Sequence, residues 1–279
     1  PLSRGRAPTT GDLMRTPPLS ALTALAAALV ATRAAAQQGP QPRLILSIGG
    51  GVHTGHGLWT IPAQPIEIPP NTNLYDSLRL SRSIGSGLLA TFSATYFPGG
   101  HVGFYGDVTF LDMAMENACS PVVPYKANPD PNETLCNGFN SSVDGNSSLL
   151  VGLGVTLRAA PRSTLSPYAR LGLGYALHAH GTVGAEAPNT PNGPPVQIIE
   201  DADPLSGSPA VLLAAGLSQS IGSGYQLRLE VRDDFFGLER VTGPANSLGQ
   251  APTDPGWFHH ISLAIGFDIV FDQKRPRRY

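Results

Sequence analysis

The chain has 279 residues, 41% of them hydrophobic and 14% charged, with a formal net charge of −2. This balance argues against a basic nucleic-acid-binding surface, and the lack of any run of about 18 uninterrupted apolar residues excludes a transmembrane helix. Glycine (32) and proline (27) are both abundant, which favours many strands and turns over a helical bundle.

Met14-Arg15 followed by Leu19 to Val30 has the charged start and short apolar stretch of a secretory signal. Ala34-Ala35-Ala36 supplies small residues before Gln37, so cleavage after Ala36 is expected. Residues 1–36 are therefore read as an over-extended start plus a signal peptide (Met14–Ala36), and residues 37–279 as one domain. No cysteine borders the cut, so no lipoprotein anchor is expected. Removing Arg4, Arg6, Arg15, Arg33 and Asp12 leaves a mildly acidic mature chain.

Eight segments then alternate apolar and small or polar residues, the period of a strand with two unlike faces. Their apolar faces begin with Leu44, Leu46, Ile48 and Val52, then Leu88 to Tyr96, then Val102, Phe104, Val108 and Phe110. Next come Leu149 to Leu157, Ala169 to Leu177, Val211 to Leu217, and Tyr225 to Val231. The last is Ile261, Leu263, Ile265, Phe267, Ile269 and Phe271.

Short turns at Pro98-Gly99-Gly100, Ala160 to Ser166 and Gly222-Ser223-Gly224 alternate with long polar connections at 60–85, 116–147, 182–207 and 241–256. Short turns at one end and long loops at the other predict an all-β fold, an eight-stranded antiparallel up-and-down transmembrane β-barrel. Cys119 and Cys136 share one polar connection of an exported chain, where a disulfide is expected.

The opposite faces hold glycine, alanine and serine among scattered charges. A soluble sandwich would turn such a face to water, but a narrow lumen filled by a few large side chains suits this composition better. Asp107, Arg158, Arg170, Arg228, Glu230, Arg232 and Asp268 fall on that face and are expected to pair as a stabilising lumenal charge network. Tyr96, Phe97, Phe267 and Phe271 at the turn end, and Phe235, Phe236, Trp257 and Phe258 at the other, fit two interfacial girdles.

The signal peptide, the eight strands and the closing segment Ala264 to Phe271 together resemble small bacterial outer-membrane β-barrel proteins of the OmpA-barrel, OmpX and OmpW type. The closing segment is similar to the assembly signal of that group, with a glycine, spaced apolar residues and a final aromatic. It departs in having Ala264 at a usually polar position and in continuing to a basic tail, Asp272 to Tyr279. The resemblance implies residence in the bacterial outer membrane, contact with its lipid and lipopolysaccharide, and passage through the barrel-assembly machinery.

Chemistry is sparsely signalled. His53, His56, His178, His180, His259 and His260 collect at the long-connection end, yet their spacing matches no metal-ligand motif, and no metal or cofactor is expected. His260-Ile261-Ser262 is similar to the His-x-Ser of outer-membrane lipid A deacylases, with Glu230 as the carboxylate to hand, but parity turns both side chains to the lumen. Glu186, Glu200, Asp201 and Asp203 form an acidic stretch able to attract divalent cations. Asn132, Asn140 and Asn146 head glycosylation sequons that read here as polar loop residues. The expected role is non-enzymatic, in envelope structure or surface interaction, with an extracellular partner the sequence does not name. The alternatives are a membrane-embedded lipid-modifying enzyme, a narrow channel for small hydrophobic molecules, and a soluble lipocalin-like binder.

Overall fold

A computed structural model describes residues 43–67, 75–122, 131–141, 144–188, 195–201 and 203–272. The expected signal peptide and all of the basic tail beyond Asp272 lie outside the described residues. Twelve strands and one helix run in the order β1 Arg43–His53, β2 His56–Glu67, β3 Tyr75–Ile84, β4 Gly87–Phe97, β5 Val102–Pro121, α1 Pro131–Ser141 and β6 Asp144–Arg158. They continue with β7 Leu165–His178, β8 Ala185–Pro188, β9 Pro195–Ile199, β10 Gly207–Gly222, β11 Tyr225–Val241 and β12 Thr253–Asp272.

Eight of these close a ring. β1 pairs with β4, then β5, β6, β7, β10, β11 and β12 follow, and β12 returns to β1, every pair antiparallel. Closure satisfies every strand edge within the wall. The register Leu44↔Phe271 and Ile48↔Phe267 holds the apolar faces of the first and last strands level.

The apolar face points outward. Leu153 and Leu173, cross-strand partners, are 72% and 70% exposed, and large apolar residues of every ring strand are exposed with them. A water-soluble chain hides such a surface; a continuous apolar belt around a closed barrel is the surface that hydrocarbon requires. Among the described residues no helix is long and apolar enough to cross a membrane.

Inside, glycine makes room for aromatic rings. A Cβ on Gly172 would lie 2.4 Å from Tyr105 Oη, and one on Gly154 2.7 Å from Tyr105 Cε1. Gly216 likewise admits Tyr168. The lumenal small residues are the mould of the large ones, a point that composition alone leaves unordered.

The long connections differ from the sequence expectation. The stretch 60–85 is mostly the β2–β3 hairpin, whose strand β3 pairs with the upper half of β5 where β4 has ended. Pro62 and Pro65 disguise β2; a register irregularity between Ile61 and Gln64 accommodates the first of them. The 116–147 connection contains the end of β5 and α1, opened by Pro131 with Glu133 in its first turn. β8 and β9 form a small hairpin within 182–207, and β11 and β12 extend into 241–256 from both sides.

These elements build a cap with its own apolar core, including Ile61, Leu80, Met115, Phe139, Ile199 and Leu238, all almost completely buried. Gln64 ties hairpin to distant loop, donating from Nε2 to Ala245 O (3.1 Å) while Oε1 accepts from Ala245 N (2.7 Å). Trp59 Nε1 and Arg82 Nη1 both donate to Thr182 O, and Thr182 Oγ1 donates to Glu239 O. The sequon asparagines belong to this framework: Asn132 donates to Asp76, Asn140 accepts from Cys119 N, and Asn146 donates to His180 O.

Cys119 and Cys136 are bonded, Cα to Cα 5.0 Å, and pin α1 to β5 across 17 residues. Replacing both with serine is expected to cost the cap roughly 3 kcal/mol from lost loop closure. The effect would be seen as faster thermolysin cleavage of the β5–β6 connection while the ring stays folded on an unboiled gel.

Candidate functional site

The lumen carries the densest polar chemistry. On β11, alternation sends Arg228, Glu230, Arg232 and Asp234 inward one above another. Glu230 is the hub: its carboxylate lies 3.5 Å from Arg170, 3.9 Å from Arg228 and 3.8 Å from Arg232, and accepts a 2.7 Å hydrogen bond from Tyr168 Oη. Arg228 also faces Asp268 at 3.7 Å, and Arg232 lies 3.1 Å from both Asp107 and Asp234. Six of the seven residues singled out in the sequence thus meet in one network. Arg158 stands lower, its Nη2 donating to Gln226 Oε1 (3.3 Å) and its guanidinium 4.8 Å from the centre of the Phe97 ring.

Asp234, Tyr105 and Tyr168 were not among the residues singled out for the network. Tyr168 and Tyr105 were legible as lumenal by parity. Asp234 was hidden because Arg232-Asp233-Asp234 looks like the end of alternation, whereas β11 continues to Val241. Counting Asp234, three arginines meet four carboxylates in the network, and Arg158 lower in the lumen supplies the fourth positive charge there. Balance matters, since a lone ion in a low-dielectric interior costs several kcal/mol.

Among the described residues, buried side chains from all eight ring strands occupy the lumen. A cavity of about 20 Å³ remains between Ser47, Thr95, Arg158, Tyr168 and Asp268, roughly the room one or two waters need. Above the network the apolar cap core closes the other end.

Between the two lies the histidine cluster. His260 is fully buried, stacked 4.1 Å from Phe236 and edge-on to His56 at 4.8 Å. His178 stacks against Phe236 at 5.7 Å, its Nε2 donating to Gly237 O and its Nδ1 accepting from Ser148 Oγ. His53 bonds Asp112 O through Nε2 at 2.6 Å. The imidazole ring in contact with His260 is that of His56. His180 is exposed. No group of three or more His, Cys, Asp or Glu side chains among the described residues is placed to hold a metal ion.

His260 and Ser262 both point into the lumen and are buried, away from the lipid face where a lipid-modifying pair would have to act. The residue that faces outward is His259, paired with Asp233 at 2.8 Å. Above it on the outer wall sit Phe235 and Trp257, ring centres 5.1 Å apart, and at the turn end Tyr225 stacks on Phe267. The aromatic girdles are thinner than the sequence suggested: Phe97 and Phe236 are buried inside, and Phe258 packs on the cap core. Paired aromatics such as Tyr96-Phe97 cannot both face lipid on one strand.

In the acidic stretch, Glu200 bridges to the Gly249-Gln250 backbone, while Asp201 packs beside Gly181. Burial, and then the charge of Glu239, push the Asp201 carboxyl above the usual carboxylate range. A carboxyl whose pKa is higher folded than unfolded binds its proton more tightly in the fold, so its contribution to stability declines as pH rises from the unfolded value through the folded one. Residues 181–188 and 195–201 are therefore expected to show lower amide protection factors, after correction for intrinsic exchange, at pH 7 than at pH 4. Asp201→Asn should flatten that difference.

No family model matches the chain, and no curated protein matches it. Among solved structures, the chain is similar to the outer membrane protein OprG of Pseudomonas aeruginosa, with 11% identity over 84% of this chain and 97% of that one, TM-score 0.49. It is also similar to Neisserial surface protein A, with 10% identity, 81% and 96% covered, TM-score 0.39. Ail, the attachment invasion locus protein of Yersinia pestis, shows 10% identity, 83% and 99% covered, TM-score 0.37. On its own strand ring, lumen and outer surface, this chain has the architecture of an outer-membrane β-barrel protein.

Proposed function

We propose that this chain resides in the bacterial outer membrane as a sealed barrel with a non-enzymatic role, supporting the envelope and presenting its cap to the exterior. The observation that carries this reading is the occupied lumen: a buried ion-pair network stands beside a cavity of only about 20 Å³, under an apolar cap core. Eight strands enclose a space that side chains can fill, and the buried lumenal arginines, carboxylates and tyrosines support that reading. The apolar belt supports contact with membrane lipid, and the acidic cap residues would meet lipopolysaccharide phosphates through divalent cations rather than directly. An even number of ring strands puts both ends of the barrel on the short-turn side, the periplasm in this reading. Insertion through the barrel-assembly machinery follows from the same reading.

Planar-bilayer recordings on the purified, refolded residues 37–279 test it. The expected trace shows no discrete conductance steps; reproducible steps from wild-type protein would refute a sealed lumen.

A further inference from the structure

The buried arginines below Glu230 are paired less completely than the one above it. Arg232 lies 3.1 Å from both Asp107 and Asp234. Arg170 and Arg228 stand 3.5 and 3.9 Å from Glu230, and Arg228 3.7 Å from Asp268. At such separations charge is felt but no good hydrogen bond forms. Arg158 makes no ion pair among the described residues; its partners are Gln226 Oε1 and the Phe97 ring. Even with Glu230 counted wholly below, three guanidiniums face two carboxylates there. The lower lumen keeps one positive charge to spare.

The cavity of about 20 Å³ lies among these groups. Arg158 Nε, Arg170 Nε and Nη1, and Arg228 Nη1 are buried without a hydrogen-bond partner among the described residues, as are the hydroxyls of Ser47, Thr95 and Thr156. All six residues line the cavity, and none is more than 8% exposed. Buried donors are costly to leave unmade, and a cluster of them around one space calls for an acceptor. Asp268, the one carboxylate in the lining, faces Arg228 and so offsets one guanidinium of the three.

Water answers this arrangement poorly. A guanidinium N–H can only donate, and a water that accepts from it must then find acceptors for its own two protons. A halide accepts from every side, donates nothing and supplies the missing negative charge. Room for one or two waters admits a monatomic anion and is too small for phosphate, sulfate or an organic acid. We propose that the lower lumen is a halide site, holding chloride between Arg158, Arg170 and Arg228 with hydroxyl donors from Ser47, Thr95 and Thr156. The way in is short. Gln226 Oε1 accepts from Arg158 Nη2 at 3.3 Å and from Ser218 Oγ at 2.7 Å, and the same residue lines the open mouth of about 350 Å³ at the short-turn end. One uncharged side chain thus stands between that mouth and the cavity. The inference rests on the closed ring and its lumen, not on the membrane reading.

Sodium bromide tests it on the refolded full chain in detergent, against sodium gluconate at equal ionic strength. Bound bromide is expected to raise the unfolding midpoint along a saturating curve. A general salt effect would not do so, since stabilisation by exclusion belongs to anions such as sulfate and phosphate. Arg158→Gln should raise the half-saturating bromide concentration about tenfold, and Thr156→Val, which removes a hydroxyl at nearly constant shape, about threefold. The exposed cap variant Arg240→Gln should leave it unchanged. In gluconate, Thr156→Val should cost no stability, because its hydroxyl has no protein partner to lose. Anomalous diffraction from crystals grown in bromide should place the ion among Arg158, Arg170 and Arg228. Equal midpoints in bromide and gluconate, or a bromide effect indifferent to both lumenal substitutions, overturn the proposal. A bromide peak without saturable stabilisation in solution means an adventitious ion only, and overturns it as well. Should Arg158→Gln fail to fold, Thr156→Val and the wild-type bromide map decide alone, and a map without a peak in the cavity refutes the site.

Discussion

Glu230→Ala is expected to lower the unfolding free energy in lipid vesicles by about 3–5 kcal/mol, the cost of leaving buried charges without their partner. Glu230 is the carboxylate shared by Arg170, Arg228 and Arg232, and its side chain is 1% exposed. Removing it strands positive charge at the waist of the barrel and orphans the Tyr168 hydroxyl. Urea unfolding followed by tryptophan emission and gel mobility reads the loss. Glu230→Gln keeps an acceptor for Tyr168 and should cost less. Replacing the pair with similar-sized apolar residues, Arg228→Met with Glu230→Leu, should recover much of the stability, because charge and countercharge leave together. A Glu230→Ala protein as stable as wild type would show that the network is solvated rather than buried.

Leu173→Arg separates a membrane barrel from a soluble one more sharply than any gel. Leu173 is 70% exposed, midway along β7 between Leu153 and Val211. On a protein in water, arginine at so open a site changes stability little. On a hydrocarbon-facing wall near the midplane it costs about 2–4 kcal/mol. The control is Leu248→Arg: Leu248 is equally open at 72% but sits in the cap, and its replacement should be silent. The measurement is folding yield and unfolding midpoint in vesicles. A Leu173→Arg protein matching the Leu248→Arg control would contradict the lipid-facing assignment.

The lumenal network was more legible than the cap. Parity along β11 announced Arg228, Glu230 and Arg232 because each is flanked by an outward leucine or valine. It stopped short of Asp234, where two consecutive acids obscured which of them faced in. The split proves consequential: Asp234 joins Arg232 inside, while Asp233 pairs with His259 outside. The β2 strand was illegible for another reason. His56–Glu67 carries two prolines and no clean alternation, and the β2–β3 hairpin is held by the Gln64 to Ala245 bonds and the Trp59 and Arg82 bonds to Thr182, all spanning 100 residues or more. Local pattern cannot anticipate contacts of that range.

The amphipathic period of eight segments, their alternating short and long connections and the placement of seven charges on one face were determined by the sequence itself, because side-chain direction in a strand is fixed by parity. Which charges touch was decided by ring closure, which sets the stagger between strands and so brings Arg170 of β7 beside Glu230 of β11. Tertiary structure alone decided that the long connections fold into an apolar lid and that the histidines stack against Phe236 between lid and network. Each depends on segments far apart in the chain arriving at one end of the barrel, a consequence of closure rather than of any local preference.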